Sequence, residues 1–141
     1  MLRVCGIVLK SNEMISVVLE GTIEDYQIVS TSFDKYKLIE PKDQEAVKKF
    51  KTDIHEFFDY EDFHAIGIKE RIAKGRFAGG AITFKMEGLI QTSDYPVQII
   101  HGNRIKAKTK DKIIPIAQVK KYQEDALLTA FYLLQMAEID S

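Results

Sequence analysis

Apolar and polar residues follow two different periods along the chain, and the change of period separates strands from helices. Residues 2–9 are an almost continuous apolar run of strand length, which favours a central strand covered on both faces. A polar turn over residues 10–13 leads to a second apolar run over residues 14–19, so the two runs predict a β-hairpin. A third strand is predicted over residues 26–30, paired with the second because short connections favour neighbours.

The rest of the chain predicts three helices and two more strands. After residue 41 apolar residues recur every three or four positions, which predicts an amphipathic helix that ends near Asp59. A second helix is predicted from the apolar stretch that opens at Gly79-Gly80, and a last helix from about Ala117. Strands are predicted over residues 63–68 and 95–100, and the segment 104–112 is predicted as a basic loop.

The predicted order of elements is β-β-β-α-β-α-β-α, which is typical of an α/β fold. Three antiparallel strands come first, and helical crossovers then add two parallel strands. Right-handed crossovers place helices on both faces of a mixed five-stranded sheet with the strand order 3-2-1-4-5. At 141 residues the chain fits one hydrophobic core, so we predict a single domain over residues 1–141.

Cysteine content and hydropathy indicate the cellular compartment in which the protein is expected. The single cysteine, Cys5, rules out a disulfide framework within the chain and favours a reducing cytoplasm. No apolar stretch approaches the roughly 18 residues that a membrane-spanning helix needs, so we predict no membrane association.

Charge is distributed unevenly. The net charge of −1 argues against bulk electrostatic binding to nucleic acid, but residues 1–62 carry a balance of −5 and residues 63–141 one of +4. The basic excess lies in two segments, 69–76 and 104–112. Lysines and arginines that keep loops soluble are the simpler explanation. A surface for nucleic acid or another anion is the alternative.

Two stretches carry a resemblance to a known family. Residues 74–87 read Lys-Gly-Arg-Phe-Ala-Gly-Gly-Ala-Ile-Thr-Phe-Lys-Met-Glu, and residues 122–126 read Tyr-Gln-Glu-Asp-Ala. With them, the whole chain resembles a small bacterial family of unknown function with a ribonuclease-H-like fold. More distantly, its layout is similar to the Holliday-junction resolvases and their pre-16S-ribosomal-RNA nuclease relatives.

The distant resemblance implies where a metal-dependent nuclease would hold its carboxylates. Resolvases place an aspartate on the first strand within Gly-Ile-Asp, a glutamate at the end of the fourth strand, and aspartates at the start of the last helix. Together these clamp two Mg²⁺ ions. This chain has Gly6-Ile7-Val8 in the first place and Lys69 in the second, with Glu70 one residue further, and only Asp125 matches. The resemblance therefore implies a remnant site without catalytic residues, and Mg²⁺ would be a cofactor only if that site were active.

Lysines fall where the missing carboxylates would lie. Lys10 follows Val8 at the end of the first strand, and Lys69 ends the neighbouring parallel strand. We therefore hypothesise that one of these ammonium groups pairs with Asp125 and replaces the metal. Lysines that point into solvent are the alternative.

A second candidate site lies between the fourth strand and the second helix. Gly79 and Gly80 precede the helix, and Lys74 and Arg76 flank them, which is compatible with anion binding at a helix start. The alternative is that the glycines permit a tight turn and close packing of the helix on the sheet.

These observations leave three functional hypotheses open. The first is a non-catalytic binding or interaction module, which could associate as a homodimer through sheet edges or the apolar face of the last helix. The second is a nucleic-acid-associated protein that uses the basic segments. The third is an enzyme, either a divergent resolvase-like nuclease or a type that the sequence does not identify.

Overall fold

A computed structural model describes residues 2–71 and 80–140 of the chain. Its strands are β1 (Leu2–Lys10), β2 (Glu13–Gly21), β3 (Tyr26–Val29), β4 (Lys35–Lys37), β5 (Ala65–Lys69) and β6 (Val97–Ile100). Its helices are α1 (Gln44–Glu61), α2 (Ala81–Gln91), α3 (Gly102–Thr109) and α4 (Glu124–Asp140). Two 3₁₀ turns, Ile116–Gln118 and Lys121–Gln123, precede α4. None of the described helices is both long and apolar enough to cross a bilayer.

The strands form one mixed sheet in which β1 is central. Its order is β3-β2-β1-β5-β6, so the predicted order of five strands is confirmed once the extra strand β4 is counted. β1 pairs antiparallel with β2 and parallel with β5, where Gly6 lies opposite Gly67 and Ile7 opposite Ile68. β4 pairs with the beginning of β2. As the central strand, β1 can be covered by helices on both of its faces, which explains its continuous apolar character.

Helices cover both faces of the sheet, as predicted. On one face Cys5, Ile7 and Leu9 of β1 pack in a core with α1 and α2. On the other face Val4 belongs to a core built largely from α4, and Val8 packs at its margin. The alternation along β1 therefore divides its side chains between the two cores.

Helix α4 lies unusually close to β1. A β-carbon added to Gly6 would stand 2.2 Å from the backbone oxygen of Ala126 and 2.4 Å from the backbone nitrogen of Ala130. Only glycine permits this approach, which fixes the first turn of α4 above the second half of β1.

The prediction of a basic loop over residues 104–112 is wrong for most of its length, because residues 102–109 form helix α3. Ile105 and Thr109, one turn apart, are buried against α4, while the cations between them remain exposed. The ring of His101 caps the helix by accepting the backbone N–H of Asn103 at 3.1 Å. One apolar residue per turn is enough here because α3 packs through a narrow stripe.

One boundary and one strand also differ from the prediction. The last helix begins at Glu124, not near Ala117, because the intervening residues form the two 3₁₀ turns. Strand β4 was not predicted, since Lys35–Lys37 has a single apolar side chain. That side chain, Tyr36, packs against the core on the α1 face.

Candidate functional site at the strand ends

The candidate remnant site lies where β1 and β5 end beneath the first turn of α4. Val8 shares the α4-facing side of β1 with Val4 and Gly6 and is half-buried. Asp125 directly precedes Ala126, the residue whose carbonyl oxygen approaches Gly6. The aliphatic group and the carboxylate therefore belong to the same region of the fold, and valine offers no oxygen ligand to a hard cation.

Lys69 and Asp125 form an ion pair in this region. The Nζ atom of Lys69 lies 3.2 Å from Oδ2 of Asp125, and their side chains are 34% and 57% exposed. Of the two lysines named in the hypothesis, Lys69 is the one that pairs with Asp125, and the replacement of a metal by this pair stays a prediction. An ammonium group at this distance neutralises the carboxylate and repels a dication that would otherwise bind it.

The two other residues of the candidate site lie apart from the pair. Lys10 is exposed at the end of β1 and forms no ion pair with any residue that the structure describes. Glu70 is exposed beyond the end of β5, and its backbone N–H donates to the carbonyl of Ile100 at 2.8 Å. Successive strand residues point to opposite faces, so Lys69, and not Glu70, points towards α4.

No acidic cluster suited to a metal forms among residues 2–71 and 80–140. Groups of three or more histidine, cysteine, aspartate or glutamate side chains that could hold an ion are missing from this part of the chain. Two metals about 3.5–4 Å apart need several carboxylates, and one of these must bridge both ions. The described residues do not fit the Mg²⁺ pair that the distant resemblance implies.

The ion pair adjoins the basic helix α3. A β-carbon at Gly102, the first residue of α3, would lie 3.3 Å from Cε of Lys69. From this point a run of exposed cations follows the helix and its end. They are Arg104, Lys106, Lys108, Lys110 and Lys112. Within the described chain none of them takes part in a salt bridge, so their charge faces solvent.

A buried ion pair on the other side of β5 was not found from the sequence. Nη2 of Arg71 lies 2.9 Å from Oε2 of Glu87, both side chains are 10% exposed, and the guanidinium stacks 3.3 Å over the ring of Phe84. Arg71 Nε and Nη1 have no hydrogen-bond partner in the described part of the chain. On α2, Glu87 lies between Met86 and Ile90, which are both buried. This apolar neighbourhood is the only sign in the sequence that its carboxylate is buried.

The predicted anion site is described only in part. Lys74, Arg76 and Gly79 lie outside the described residues, so their role stays a prediction. Gly80 caps the start of α2 with its carbonyl oxygen, which accepts the N–H of Thr83 at 3.1 Å. A β-carbon at Gly80 would meet nothing within 4 Å, so close packing on the sheet does not explain this glycine.

Cys5 is not available as a nucleophile. It is fully buried in the sheet, and this burial is the main cause that raises the pKa of its thiol. The thiol therefore stays protonated and acts as a small apolar side chain.

The whole architecture is that of the ribonuclease-H-like fold. Thermus thermophilus RuvC in complex with a Holliday junction substrate superposes with a TM-score of 0.75 at 14% sequence identity, covering 99% of this chain and 96% of that one. Thermus thermophilus RuvC alone gives 0.75 at 15% identity, covering 99% and 97%. At these identities the likeness establishes the fold and not the activity.

Within that fold the chain belongs to the family described as protein of unknown function DUF3010, whose model matches residues 2–133. The predicted family resemblance is confirmed. No protein with a curated description matches the chain in sequence.

Proposed function

We propose that this protein is a non-catalytic binding module built on the ribonuclease-H-like fold. One observation carries the proposal: the ammonium of Lys69 lies 3.2 Å from the carboxylate of Asp125, beside the aliphatic Val8. Lysine and aspartate together have no net charge, whereas two-metal hydrolysis needs a concentration of negative charge. Among the described residues, the strand-end region therefore lacks the cluster of carboxylates that two-metal activation of water needs.

A cleavage assay tests the loss of catalysis. Purified protein is incubated with four-way-junction DNA, single-stranded DNA and RNA in Mg²⁺ or Mn²⁺, and we expect no hydrolysis above background. Asp125→Ala and Asp111→Ala are assayed in parallel, the second as an exposed acid outside the site. Metal-dependent cleavage that is abolished by Asp125→Ala and retained by Asp111→Ala would overturn the proposal.

Nucleic acid is the partner that the surface next to the site favours. Helix α3 begins beside the stem of Lys69, since a β-carbon at Gly102 would lie 3.3 Å from its Cε, and the exposed cations of the helix follow from Arg104 onward. The basic surface therefore adjoins the strand ends. Unpaired lysines and arginines bind phosphates by releasing counterions, without sequence readout. A structural neighbour with this fold, Thermus thermophilus RuvC, was solved in complex with a Holliday junction substrate, which supports nucleic acid as the partner to test first.

Salt-dependent binding separates this candidate from a protein partner. We expect fluorescence anisotropy to report binding to labelled DNA or RNA at low salt. The triple variant Arg104→Gln, Lys106→Gln, Lys108→Gln should lower the slope of log Kd against log salt by roughly 2–3. The matched control removes three exposed cations from the α1 side, Lys42→Gln, Lys48→Gln, Lys51→Gln. No binding at low salt would remove nucleic acid as the partner, and equal effects of the two triples would remove α3 as the surface that binds it.

Self-association is part of the same proposal. Ile113 is fully exposed and Ile139 is 68% exposed, and both line a hollow at the end of α4. Large exposed apolar side chains that share a surface are typical of interfaces. Sedimentation across a range of concentrations should give a mass near twice 16.1 kDa. A single 16.1 kDa species at every concentration would exclude a homodimer.

A cytoplasmic location and a single domain over residues 1–141 complete the proposal. The lone thiol of Cys5 supports the first, because a reducing compartment tolerates a free cysteine. The participation of all described strands in one sheet supports the second.

A further inference from the structure

A second hollow lies between the loop after β3 and the outer side of α1. Its volume is about 530 Å³, within the range of small-molecule pockets. Loop residues 30–33 and Tyr36 form one wall, and the last three turns of α1 form the other. We infer that this hollow binds an organic cation, an ammonium or guanidinium group carried on an apolar stem.

The base of the hollow is aromatic and well supported. The ring of Phe33 stacks on the buried Phe57 with centroids 4.4 Å apart and an interplanar angle of 11°. Tyr36 packs beside Phe33 at 4.9 Å. The loop is held by Ser16, whose hydroxyl donates to the carbonyl of Phe33 at 2.7 Å. Such a base suits an apolar stem or the flat face of a guanidinium.

The hollow is lined by three carboxylates, those of Asp53, Glu56 and Glu61. Asp53 and Glu61 already have partners, since Asp53 accepts from Tyr36 and Lys49, and Glu61 pairs with Arg3. Glu56 is exposed on the rim and forms no ion pair or hydrogen bond with a described residue. The carboxylate of Glu56 is therefore available to pair with a positive charge on a ligand.

The end of α1 departs from the usual placement of charge on a helix. Its last two turns carry Glu56, Asp59 and Glu61, and its last turn contains no basic residue. Carboxylates at a helix C-terminus face the negative end of the macrodipole, which lowers helix stability. Local rules of this kind are broken mainly at functional sites, where another requirement prevails.

The same features decide the chemistry of the ligand. An anion would be repelled by the carboxylates of the hollow, and a neutral apolar group would gain nothing from the charge of the exposed Glu56. A divalent metal is disfavoured because the described carboxylates form no group of three or more suited to an ion. Tyr60, 87% exposed on the rim, offers a ring face to an ammonium or guanidinium.

Chemical-shift titration tests this inference with a matched pair of ligands. Arginine amide carries the guanidinium, and citrulline amide replaces it by a neutral group of nearly the same shape. Both are used with the α-amino group acetylated, so that the citrulline ligand carries no charge. We expect arginine amide to shift amide resonances of residues 30–33 and 53–61 saturably, and citrulline amide to leave them unchanged. Equal binding of the two, or shifts confined to other parts of the chain, would overturn the inference, as would no shift with either.

Two surface variants locate the contact. Glu56→Gln and Tyr60→Ala alter exposed side chains, so both should fold, and each should weaken arginine amide binding by roughly two- to fivefold. Glu45→Gln is the control, since it removes one exposed carboxylate from the opposite end of the same helix. If Glu45→Gln weakens binding as much as Glu56→Gln, the effect arises from the overall charge of the protein and not from a local contact, and the inference fails.

The source of the cation is settled by comparing ligands of different size. Spermidine and arginine amide represent free metabolites, and a short peptide with one arginine between apolar residues represents a partner protein. Peptide binding at least tenfold tighter than that of arginine amide would assign the hollow to a partner's side chain. Similar affinities would assign it to a free amine or guanidine.

Discussion

Ion pairs lie near both ends of β1, but they serve different purposes. Near the beginning of the strand the guanidinium of Arg3 binds Glu20 on β2 and Glu61 at the end of α1. The side chains of these three residues are 27%, 22% and 7% exposed. Near the other end, Lys69 and Asp125 are 34% and 57% exposed and come from β5 and α4.

Solvent exposure decides how much each ion pair contributes to the stability of the fold. The network around Arg3 is hydrogen-bonded and partly shielded from water, and it joins three elements. Its hydrogen bond with Glu20 is the main cause that raises the pKa of Arg3, and the same bond lowers the pKa of Glu20. An exposed pair such as Lys69–Asp125 stabilises a fold by only about 0–1 kcal/mol. Its consequence is chemical, since it cancels charge where two-metal hydrolysis would need negative charge to be concentrated.

Between the two ends of β1, Gly6 fixes the position of α4. Substitution of this glycine is expected to lower the free energy of unfolding more than any other change considered. In Gly6→Ala the new methyl group would overlap the backbone of Ala126 and Ala130, which cannot rotate away. We expect the free energy of unfolding, measured in urea, to fall by about 3 kcal/mol. Gly88→Ala on α2 is the control: its methyl group would meet nothing within 4 Å, so a gain of up to about 1 kcal/mol is expected. Unchanged stability of Gly6→Ala would contradict the close approach of α4.

Removing Arg3 should have the next largest effect. In Arg3→Met the carboxylate of Glu61, 7% exposed, keeps its burial and loses its cation. We expect a loss of about 2 kcal/mol in the free energy of unfolding, less than for a fully buried pair because Arg3 is partly exposed. The double variant Arg3→Met, Glu61→Gln should recover part of that loss. If Arg3→Met lowers the free energy of unfolding by no more than the loss of an exposed ion pair does, the ion pairs at the two ends of β1 do not differ in their contribution to stability.

The pH dependence of stability should report the same network. The pKa of Glu20 is lowered from its usual value of 4.5, mainly by the hydrogen bond from Arg3. The contribution of Glu20 is therefore fully present above that value and is lost as pH falls through the lower pKa of the folded state. Between about pH 6 and about pH 3, the free energy of unfolding measured in urea should fall less steeply with decreasing pH in Glu20→Gln than in the exposed control Glu24→Gln. Parallel curves for the two variants would mean that Glu20 has no lowered pKa.

The smallest effect is expected at the candidate site itself. Lys69→Met should change the free energy of unfolding by less than about 1 kcal/mol, because both charges of the pair reach solvent. Lys10→Met, which removes an unpaired exposed cation, should be nearly neutral. If Lys69→Met cost as much as Arg3→Met, the pair at the strand ends would be a structural element.

Much of the architecture followed from apolar patterning. The continuous run in β1 and the change of period after residue 41 are strong signals, and the strand order depended on them. Strand β4 and helix α3 were missed for the same reason: each packs through one or two apolar side chains among lysines. A short element can be held by neighbours that are distant in the chain, and local pattern does not record this.

The site was predictable only where topology brings residues together. Parallel strands β1 and β5 end at one edge, so the meeting of Lys69 with Asp125 could be expected from the strand order. The pairing of Arg3 with Glu61 could not, because it depends on the exact end of α1. Glu56 and Tyr60, one turn apart, have the pattern of an ordinary solvent-facing helix surface. Only the fold of loop 30–33 over that surface creates the hollow.

Manganese binding tests the central claim, that the strand ends cannot hold divalent metal, most directly. Mn²⁺ is titrated into isotope-labelled protein while the amide resonances of Val8, Lys69 and Asp125 are followed by NMR. We predict no saturable broadening in the native protein, and broadening at these positions in the double variant Val8→Asp, Lys69→Glu, which restores two carboxylates. Broadening centred on Asp125 in the native protein, and removed by Asp125→Ala, would contradict the claim.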